Sequence, residues 1–274
     1  MSAAQAVPQA PGVAAPLLAV SGLAKAFGGV RALADLSFAL APAEMLAMIG
    51  PNGAGKSTCF NLLNGQLRPD AGRIVLDGRD IAGLPSRRIA RLGVGRTFQV
   101  AATWPSLTVR ENVQLALLAH HRQLARWWPL ARGLHRDRAQ ALLERVGLGP
   151  AAERPCAQLA YGDLKAVELA VALAANPRLL LMDEPTAGMS PGERGALMRL
   201  VHGLSRELGI AVLFTEHSMD VVFEHADRIL VLADGKRIAE GPPASIRADP
   251  RVVEVYLGSG RFAAPILADA EPAR

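Results

Sequence analysis

The sequence is poor in cysteine, lysine and aromatic residues, and it lacks long apolar runs. It has 274 residues with two cysteines, and Phe, Trp and Tyr together make up 4%. Two cysteines without metal-type spacing argue against a disulfide scaffold and favour a reduced, cytosolic protein. No uncharged apolar stretch reaches about 18 residues, so no membrane-spanning helix is predicted. The first basic residue is Lys25, which argues against a secretory signal peptide.

The charge is mildly basic and comes almost entirely from arginine. The net charge is +5, and only four of the 30 basic residues are lysine. Such a charge suits nucleic acid, an anionic membrane surface or an ordinary solvated arginine-rich surface. The charge therefore leaves the class of partner open.

The pattern of strands and helices divides the chain into three parts. Half of the residues are apolar, which is enough for a sizeable core. Strand signals dominate residues 17–99, helix-spaced apolar residues dominate about 105–175, and strands alternate with helices after 178. The order predicts an α/β core interrupted by a helical insertion. The predicted elements that matter below are strands at 17–27, 31–40, 45–49, 179–182 and 211–214, and helices at 164–175 and 191–208.

A glycine-rich segment follows the predicted strand 45–49 and precedes a predicted helix. It consists of Gly50, Pro51, Asn52, Gly53, Ala54, Gly55, Lys56 and Ser57. This is the phosphate-loop pattern, in which backbone N–H groups and a helix N-terminus face phosphate oxygens. We predict that Lys56 reaches the β- and γ-phosphates and Ser57 ligates Mg²⁺, with Thr58 in the same nucleotide site. A chance glycine-rich turn is the alternative, and the flanking strand and helix argue against it.

Two acidic residues, Asp183 and Glu184, end the apolar strand that begins at Leu179. Carboxylates at this place are costly unless they are solvated or act on a cation. With a phosphate loop upstream, we predict that Asp183 holds Mg²⁺ through water and that Glu184 is the general base for the attacking water. Ordinary acidic residues at a strand boundary are the alternative.

Three further polar segments stand at the ends of predicted elements. Leu159–Asp163 precedes the apolar helix predicted at 164–175, His217 follows the strand 211–214, and Gln99 ends the strand-rich region. Ligands gather at the carboxyl ends of strands in open α/β sheets, which favours a functional His217. A lone histidine is otherwise more often structural or solvated than catalytic.

Taken in order, these segments resemble the motifs of the ATP-binding cassette subunit of ABC transporters. They correspond to Walker A, a glutamine loop, a signature segment, Walker B with its glutamate, and a histidine loop. The resemblance covers residues 17–258. It implies an α/β fold, a P-loop NTPase (ABC cassette) core with an antiparallel β subdomain and an inserted helical subdomain at about 100–165. Residues 1–16 and 259–274 are expected to be tails outside this domain.

The same resemblance implies ATP and Mg²⁺ as cofactors and gives roles to single residues. Phe27 is expected to stack on adenine, although a phenylalanine near a Gly-Gly turn is usually in a core. Gln99 is expected to sense Mg²⁺ and to couple to the membrane subunit, and His217 to contact the γ-phosphate. With Lys56 and Glu184, His217 forms the predicted catalytic set.

The resemblance further implies that two cassettes enclose two ATP molecules head to tail. The signature segment of one cassette then faces the phosphate loop of the other. The residues concerned are Ala160, Tyr161, Gly162 and Asp163. Asp163, Leu164 and Ala166 stand where amide and arginine residues are more usual, and they are departures from the family's signature pattern.

The resemblance is closest to branched-chain amino acid importer ATPases of the LivG type, which share a Leu-Ala-Tyr-Gly signature. It is carried by segments 95–99, 108–113, 187–189, 216–220 and 256–258. It implies a second cassette that is identical or related, two membrane permease subunits and, indirectly, a periplasmic or extracellular substrate-binding protein, without nucleic acid. The expected location is peripheral, on the cytoplasmic face of the inner membrane.

Other functions remain open at this stage. Urea, amides or aromatic acids are alternative cargoes for an importer of this kind. A soluble ABC ATPase acting on ribosomes or DNA usually has two cassettes or a long coiled coil, and this chain has one cassette and no heptads. A small-molecule P-loop kinase would need neither the signature at Gly162 nor the histidine at 217.

Residues 120–138 combine Trp127 and Trp128 with five arginines. Basic residues interleaved with aromatic ones occur at membrane interfaces and in nucleic-acid sites. We expect this segment either to dock on the membrane subunits or to pack its tryptophan pair on the helical insertion.

Overall fold

The computed structural model describes residues 15–97, 103–123 and 133–257. For residues 256 and 257 it describes the backbone only. The strands are β1 (Leu18–Phe27), β2 (Val30–Leu40), β3 (Met45–Ile49), β4 (Ala71–Leu76), β5 (Arg79–Asp80), β6 (Val94–Thr97), β7 (Leu179–Asp183), β8 (Ala211–Thr215), β9 (Arg228–Ala233) and β10 (Lys236–Gly241). The helices are α1 (Lys56–Leu63), α2 (Ser86–Arg91), α3 (Val109–His120), α4 (Arg136–Arg145), α5 (Tyr161–Leu173), α6 (Pro191–Leu208), α7 (Met219–His225), α8 (Pro243–Arg247) and α9 (Pro250–Leu257).

The strands form two sheets that differ in strand direction. One is antiparallel, in the order β2-β1-β4-β5, and its first hairpin turns at Gly28 and Gly29. The other has the order β10-β9-β3-β8-β7-β6, and all its pairings are parallel except β9 with β10. The two sheets confirm the predicted α/β cassette fold with an antiparallel β subdomain.

The parallel sheet is buried on both faces, and β3 shows how its sequence allows this. All five residues of β3 are apolar and buried. Met45, Ala47 and Ile49 face the core that includes the helices α3 to α6, whereas Leu46 and Met48 face the core shared with the antiparallel sheet and α1. Alternate residues of a strand point to opposite faces, so a continuous apolar run suits a sheet covered on both sides.

Helices α3, α4 and α5 lie between β6 and β7 in the sequence, where the helical insertion was predicted, and they pack on one another. Helix α3 begins at a capping box in which the side chains and backbones of Thr108 and Glu111 bond reciprocally. No helix in the part of the chain that the structure describes is long and apolar enough to span a bilayer.

The structure differs from the sequence prediction at two helices. The helix predicted at 164–175 spans Tyr161–Leu173, because Ala160 already has the extended backbone of an N-cap and the signature residues form the first turn. Helix α2 was not predicted, since its six residues bury only Ile89 and give no periodic signal. The proline predicted at the start of the helix 191–208 lies there, after a capping box of Ser190 and Glu193.

The strand order brings the ends of three neighbouring strands together. Strand β8 pairs with β3 on one side and β7 on the other, and all three run parallel. Their carboxyl ends therefore open at one edge of the sheet. The phosphate loop follows β3, the acidic pair ends β7, and the segment containing His217 follows β8.

Candidate nucleotide-binding site

The phosphate loop is shaped by glycines that no other residue can replace without strain. Gly55 has φ of 102°, and a β-carbon there would lie 2.4 Å from the carbonyl oxygen of Ala32. At Gly50 a β-carbon would lie 2.2 Å from the carbonyl oxygen of Leu232. The loop is thus wedged between β2 and the end of β9, where only glycine fits.

Helix α1 begins at Lys56, within the last residues of this loop, and has no side-chain cap. Its N-cap, Gly55, has no side chain to bond the first N–H groups, and its first turn contains no acidic residue. Ser57 is exposed at this end, and Thr58 is half-buried beside it. An uncapped helix N-terminus attracts anions through its N–H groups and its dipole.

Lys56 lies folded over the phosphate loop. Its Nζ donates to the carbonyl oxygens of Gly50 at 2.7 Å and Pro51 at 3.0 Å. Burial lowers the pKa of Lys56 from its ordinary value, and the carboxylates of Glu184 and Asp183 act in the opposite direction. The ammonium thus lies close enough to both carboxylates to interact with them.

Thr215, the last residue of β8, holds both acidic residues. Its hydroxyl donates to Oδ1 of Asp183 at 2.7 Å and accepts from the backbone N–H of Glu184 at 3.1 Å. The side chain of Thr215 is buried, so both bonds are shielded from water. One hydroxyl thereby sets the direction of one carboxylate and the backbone of the next residue.

Glu184 and His217 meet at the mouth of the same edge. Glu184 has φ of 49°, an unusual left-handed conformation for a side chain of its size. Nε2 of His217 lies 2.9 Å from Oε1 of Glu184, and because a carboxylate accepts, the imidazole N–H donates. Unusual backbone of this kind concentrates at functional sites. Two of the three predicted catalytic side chains are thus in direct contact.

Phe27 lies at the end of β1 with 48% of its surface exposed. The alternative interpretation, that this ring is buried in a core, is therefore wrong. The ammonium of Lys25 lies 5.6 Å from its ring centroid. An exposed ring at the tip of the antiparallel sheet is available for stacking.

The signature residues lie apart from the acidic pair, at the start of α5. Ala160 and Tyr161 are exposed. Gly162 faces Glu193, and a β-carbon there would lie 3.1 Å from the Glu193 carboxylate, while the ring of Tyr161 lies against Gly188. The first turn of α5 is thus presented at the surface beside the loop that precedes α6.

Some predicted residues cannot be placed. Gln99, Trp127 and Trp128 lie outside the described residues. The part of the 120–138 segment that is described contains His121 and His135, whose rings stack with centroids 4.8 Å apart.

Two residues of the site were missed by sequence reasoning. One is Thr215; the other is Arg96, whose guanidinium donates to Asn61 at 2.8 Å, to Gln66 at 3.0 Å and to Asp183 at 3.4 Å. Arg96 belongs to a quoted segment but received no role. A polar residue at the end of an otherwise apolar strand is the signal that identifies Thr215.

Comparison with known proteins agrees with this geometry. Residues 33–187 match the family model described as ABC transporter, and residues 236–261 match that of branched-chain amino acid ATP-binding cassette transporters. The chain belongs to the ABC transporter family. As an ATP-binding cassette it binds and hydrolyses ATP.

Among the relatives of this cassette is the high-affinity branched-chain amino acid transport ATP-binding protein LivG of Salmonella typhimurium. It is 41% identical over 255 residues, which cover 89% of this chain and 98% of that protein. The corresponding protein BraF of Pseudomonas aeruginosa is 40% identical over 253 residues, with the same coverage.

Solved cassettes share the fold. The ADP conformation of MJ1267, an ATP-binding cassette of an ABC transporter, has a TM-score of 0.79 and 30% identity and covers 89% of this chain and all of its own. A dimeric post-hydrolysis structure of the cassette MJ0796 with ADP and phosphate has a TM-score of 0.68 and 26% identity, covering 82% of this chain and 98% of its own.

The Thr215 bridge leads to a prediction about metal dependence. Thr215→Val keeps the shape and removes the hydroxyl, so Asp183 loses its fixed orientation. We expect kcat to fall on the order of tenfold and the Mg²⁺ concentration for half-maximal ATPase activity to rise. Thr215→Ser keeps the hydroxyl and is the matched control. Titration of the ATPase rate with Mg²⁺ measures both, and identical curves for the two variants would contradict the bridge.

Proposed function

We propose that this chain is the ATPase subunit that energises an importer of branched-chain amino acids. The observation that carries the proposal is its likeness, over nearly their whole length, to proteins named for branched-chain amino acid transport. The match of residues 236–261 to the model for branched-chain amino acid cassette transporters also supports it, because none of the predicted nucleotide-site residues lies in this segment.

In this proposal Mg²⁺ accompanies ATP, and the residues present suit it. Ser57 offers a hydroxyl at the start of α1, and Asp183 offers a carboxylate oriented by Thr215. These are the hard oxygen donors that Mg²⁺ prefers. The ion would neutralise charge on the phosphates, and Gln99 would add a further oxygen.

The protein's own residues divide the remaining work. The N–H groups of the phosphate loop and the ammonium of Lys56 hold the β- and γ-phosphates. Glu184 takes a proton from water, whose oxygen bonds to the γ-phosphorus as the bond to the β-γ bridging oxygen breaks. The products are ADP and inorganic phosphate. His217 contacts the γ-phosphate and orients Glu184 through their hydrogen bond.

A second cassette completes each site. The exposed first turn of α5 has no side-chain cap and has glycine at position 162, so its N–H groups suit an anion brought by another molecule, although Asp163 in the same turn acts against it. It lies beside the loop that follows the acidic pair. We infer that Ala160, Tyr161, Gly162 and Asp163 meet the nucleotide held by the partner cassette. The dimer of the related cassette MJ0796 is consistent with this arrangement.

The remaining partners follow from the same proposal. An importer needs two permease subunits and a substrate-binding protein on the far side of the membrane. The chain would bind the permease subunits peripherally, on the cytoplasmic face of the inner membrane.

Replacing the general base tests the mechanism. Glu184→Gln keeps the shape and the contact with His217 but cannot accept the proton from water. We expect ATP binding to persist, hydrolysis to fall by about a hundredfold or more, and an ATP-bound dimer to accumulate. Glu207→Gln, which alters an exposed carboxylate at the far end of α6, is the control. Turnover and the molar mass with ATP are the measurements, and near-normal turnover would sink the assignment.

The cargo is tested by transport itself. The chain, assembled with its partner cassette, permease subunits and binding protein in proteoliposomes, should take up leucine, isoleucine and valine when ATP is inside. Phenylalanine and urea in the same vesicles are the comparison substrates. Uptake of urea or phenylalanine in place of the aliphatic amino acids would refute the proposed cargo and leave the ATPase assignment intact.

A further inference from the structure

Glu216 is a buried carboxylate next to His217, and the mechanism proposed above gives it no role. It lies between Thr215 and His217, and only 5% of its surface is exposed. Its two oxygens accept three hydrogen bonds from two different loops. Oε1 accepts from the backbone N–H of Thr186 at 2.8 Å and from its hydroxyl at 2.7 Å, and Oε2 accepts from the backbone N–H of His217 at 3.2 Å.

The two loops have different tasks. One follows β8 and carries His217. The other follows β7, runs from Glu184 to Ser190 and carries Thr186, which is 1% exposed. Its later residues, Gly188 and Met189, lie against the first turn of α5. The carboxylate of Glu216 therefore joins the loop of the histidine to the loop that supports the signature.

Burial of a carboxylate is expensive unless its oxygens are hydrogen-bonded, and here every bond comes from these two loops. A carboxylate is planar, so fixing one oxygen on Thr186 also fixes the other oxygen under His217. The backbone of His217 cannot shift without disturbing Thr186. This coupling is short-range and passes through side chains that are shielded from solvent.

We propose that Glu216 is a positioning residue for ATP hydrolysis. It holds the backbone of His217 at a fixed position relative to the loop that carries Glu184 and Thr186. Its carboxylate is buried and bonded to protein donors, and it acts through the backbone of its neighbour. The Glu184–His217 contact has two ends, one on each loop. Glu216 with Thr186 is a second tie between the same loops, which keeps those ends at bonding distance. The inference rests on the role of His217 proposed above.

Two near-isosteric changes weaken the tie from opposite sides, and both leave the backbone N–H of Thr186 in place. Glu216→Gln replaces one accepting oxygen by an NH₂ group. This NH₂ group then faces a backbone N–H at Thr186 or at His217, and because both groups are donors, that hydrogen bond is lost. Thr186→Val removes the hydroxyl donor and keeps the shape, and Thr186→Ser keeps the hydroxyl. Ser205→Ala removes another buried hydroxyl, which donates to Ile210 at 2.7 Å at the far end of α6. It is the matched control for loss of a buried hydrogen bond.

Steady-state ATPase rates of the full chain, with nucleotide affinity and melting temperature measured in parallel, test the inference. We expect Glu216→Gln and Thr186→Val each to lower kcat on the order of tenfold, with less than about a twofold change in KM for ATP. The double variant should lose little more than the stronger single variant, because both changes weaken the same tie. Thr186→Ser should retain wild-type kcat, and Ser205→Ala should lower the melting temperature without affecting kcat.

His217→Ala separates this inference from the function proposed above. If kcat falls in His217→Ala but is unchanged in Glu216→Gln and Thr186→Val, the positioning role is wrong and the role of His217 stands. If His217→Ala has normal kcat, both are wrong. Losses of kcat that follow melting temperature in all variants, Ser205→Ala included, would reduce Glu216 to a structural residue and overturn the inference.

Discussion

The site depends on the parallel order of β3, β8 and β7. Because β8 pairs with both neighbours, the chain segments that leave these strands start side by side, about 5 Å apart for paired strands and about 10 Å apart for β3 and β7. That order places a cationic loop, an acidic pair and a histidine at one edge, although they are far apart in sequence. Without it the phosphate loop would be an anion site with no chemistry beside it.

Burial of the sheet on both faces makes this arrangement rigid. Strands β3, β7, β8 and β9 each place apolar side chains into two cores, so a shift of one of them would disturb both. Polar groups at the strand ends are then held by few but directed bonds. Thr215 fixes Asp183 and the backbone of Glu184, Arg96 lies between α1 and Asp183, and Glu216 fixes the loops that follow. The left-handed backbone of Glu184 is sustained by this frame.

The sequence predicted the parts of this site that local patterns encode. The phosphate loop has fixed glycine and lysine spacing, and the strands that matter are apolar runs bounded by turns. The bonds from Thr215 and Glu216 join residues 32 and 30 positions apart, and no periodicity reveals them. The start of α5 was placed too late, because its first turn carries Gly162 and polar residues that a hydrophobic pattern omits. The exposure of Phe27 agrees with the expected stacking role and excludes the alternative of burial in a core.

The central claim is that three strand ends form a single Mg-ATP site. The most direct test is an experimental structure of the chain with Mg²⁺ and a non-hydrolysable ATP analogue. The triphosphate is expected at the N-terminus of α1, with Lys56 and His217 on the γ-phosphate and Ser57 on the metal. Glu184 is expected within hydrogen-bond reach, about 3 Å, of a water facing the γ-phosphorus. A triphosphate bound elsewhere, or Glu184 turned away from it in the closed dimer, would contradict the account.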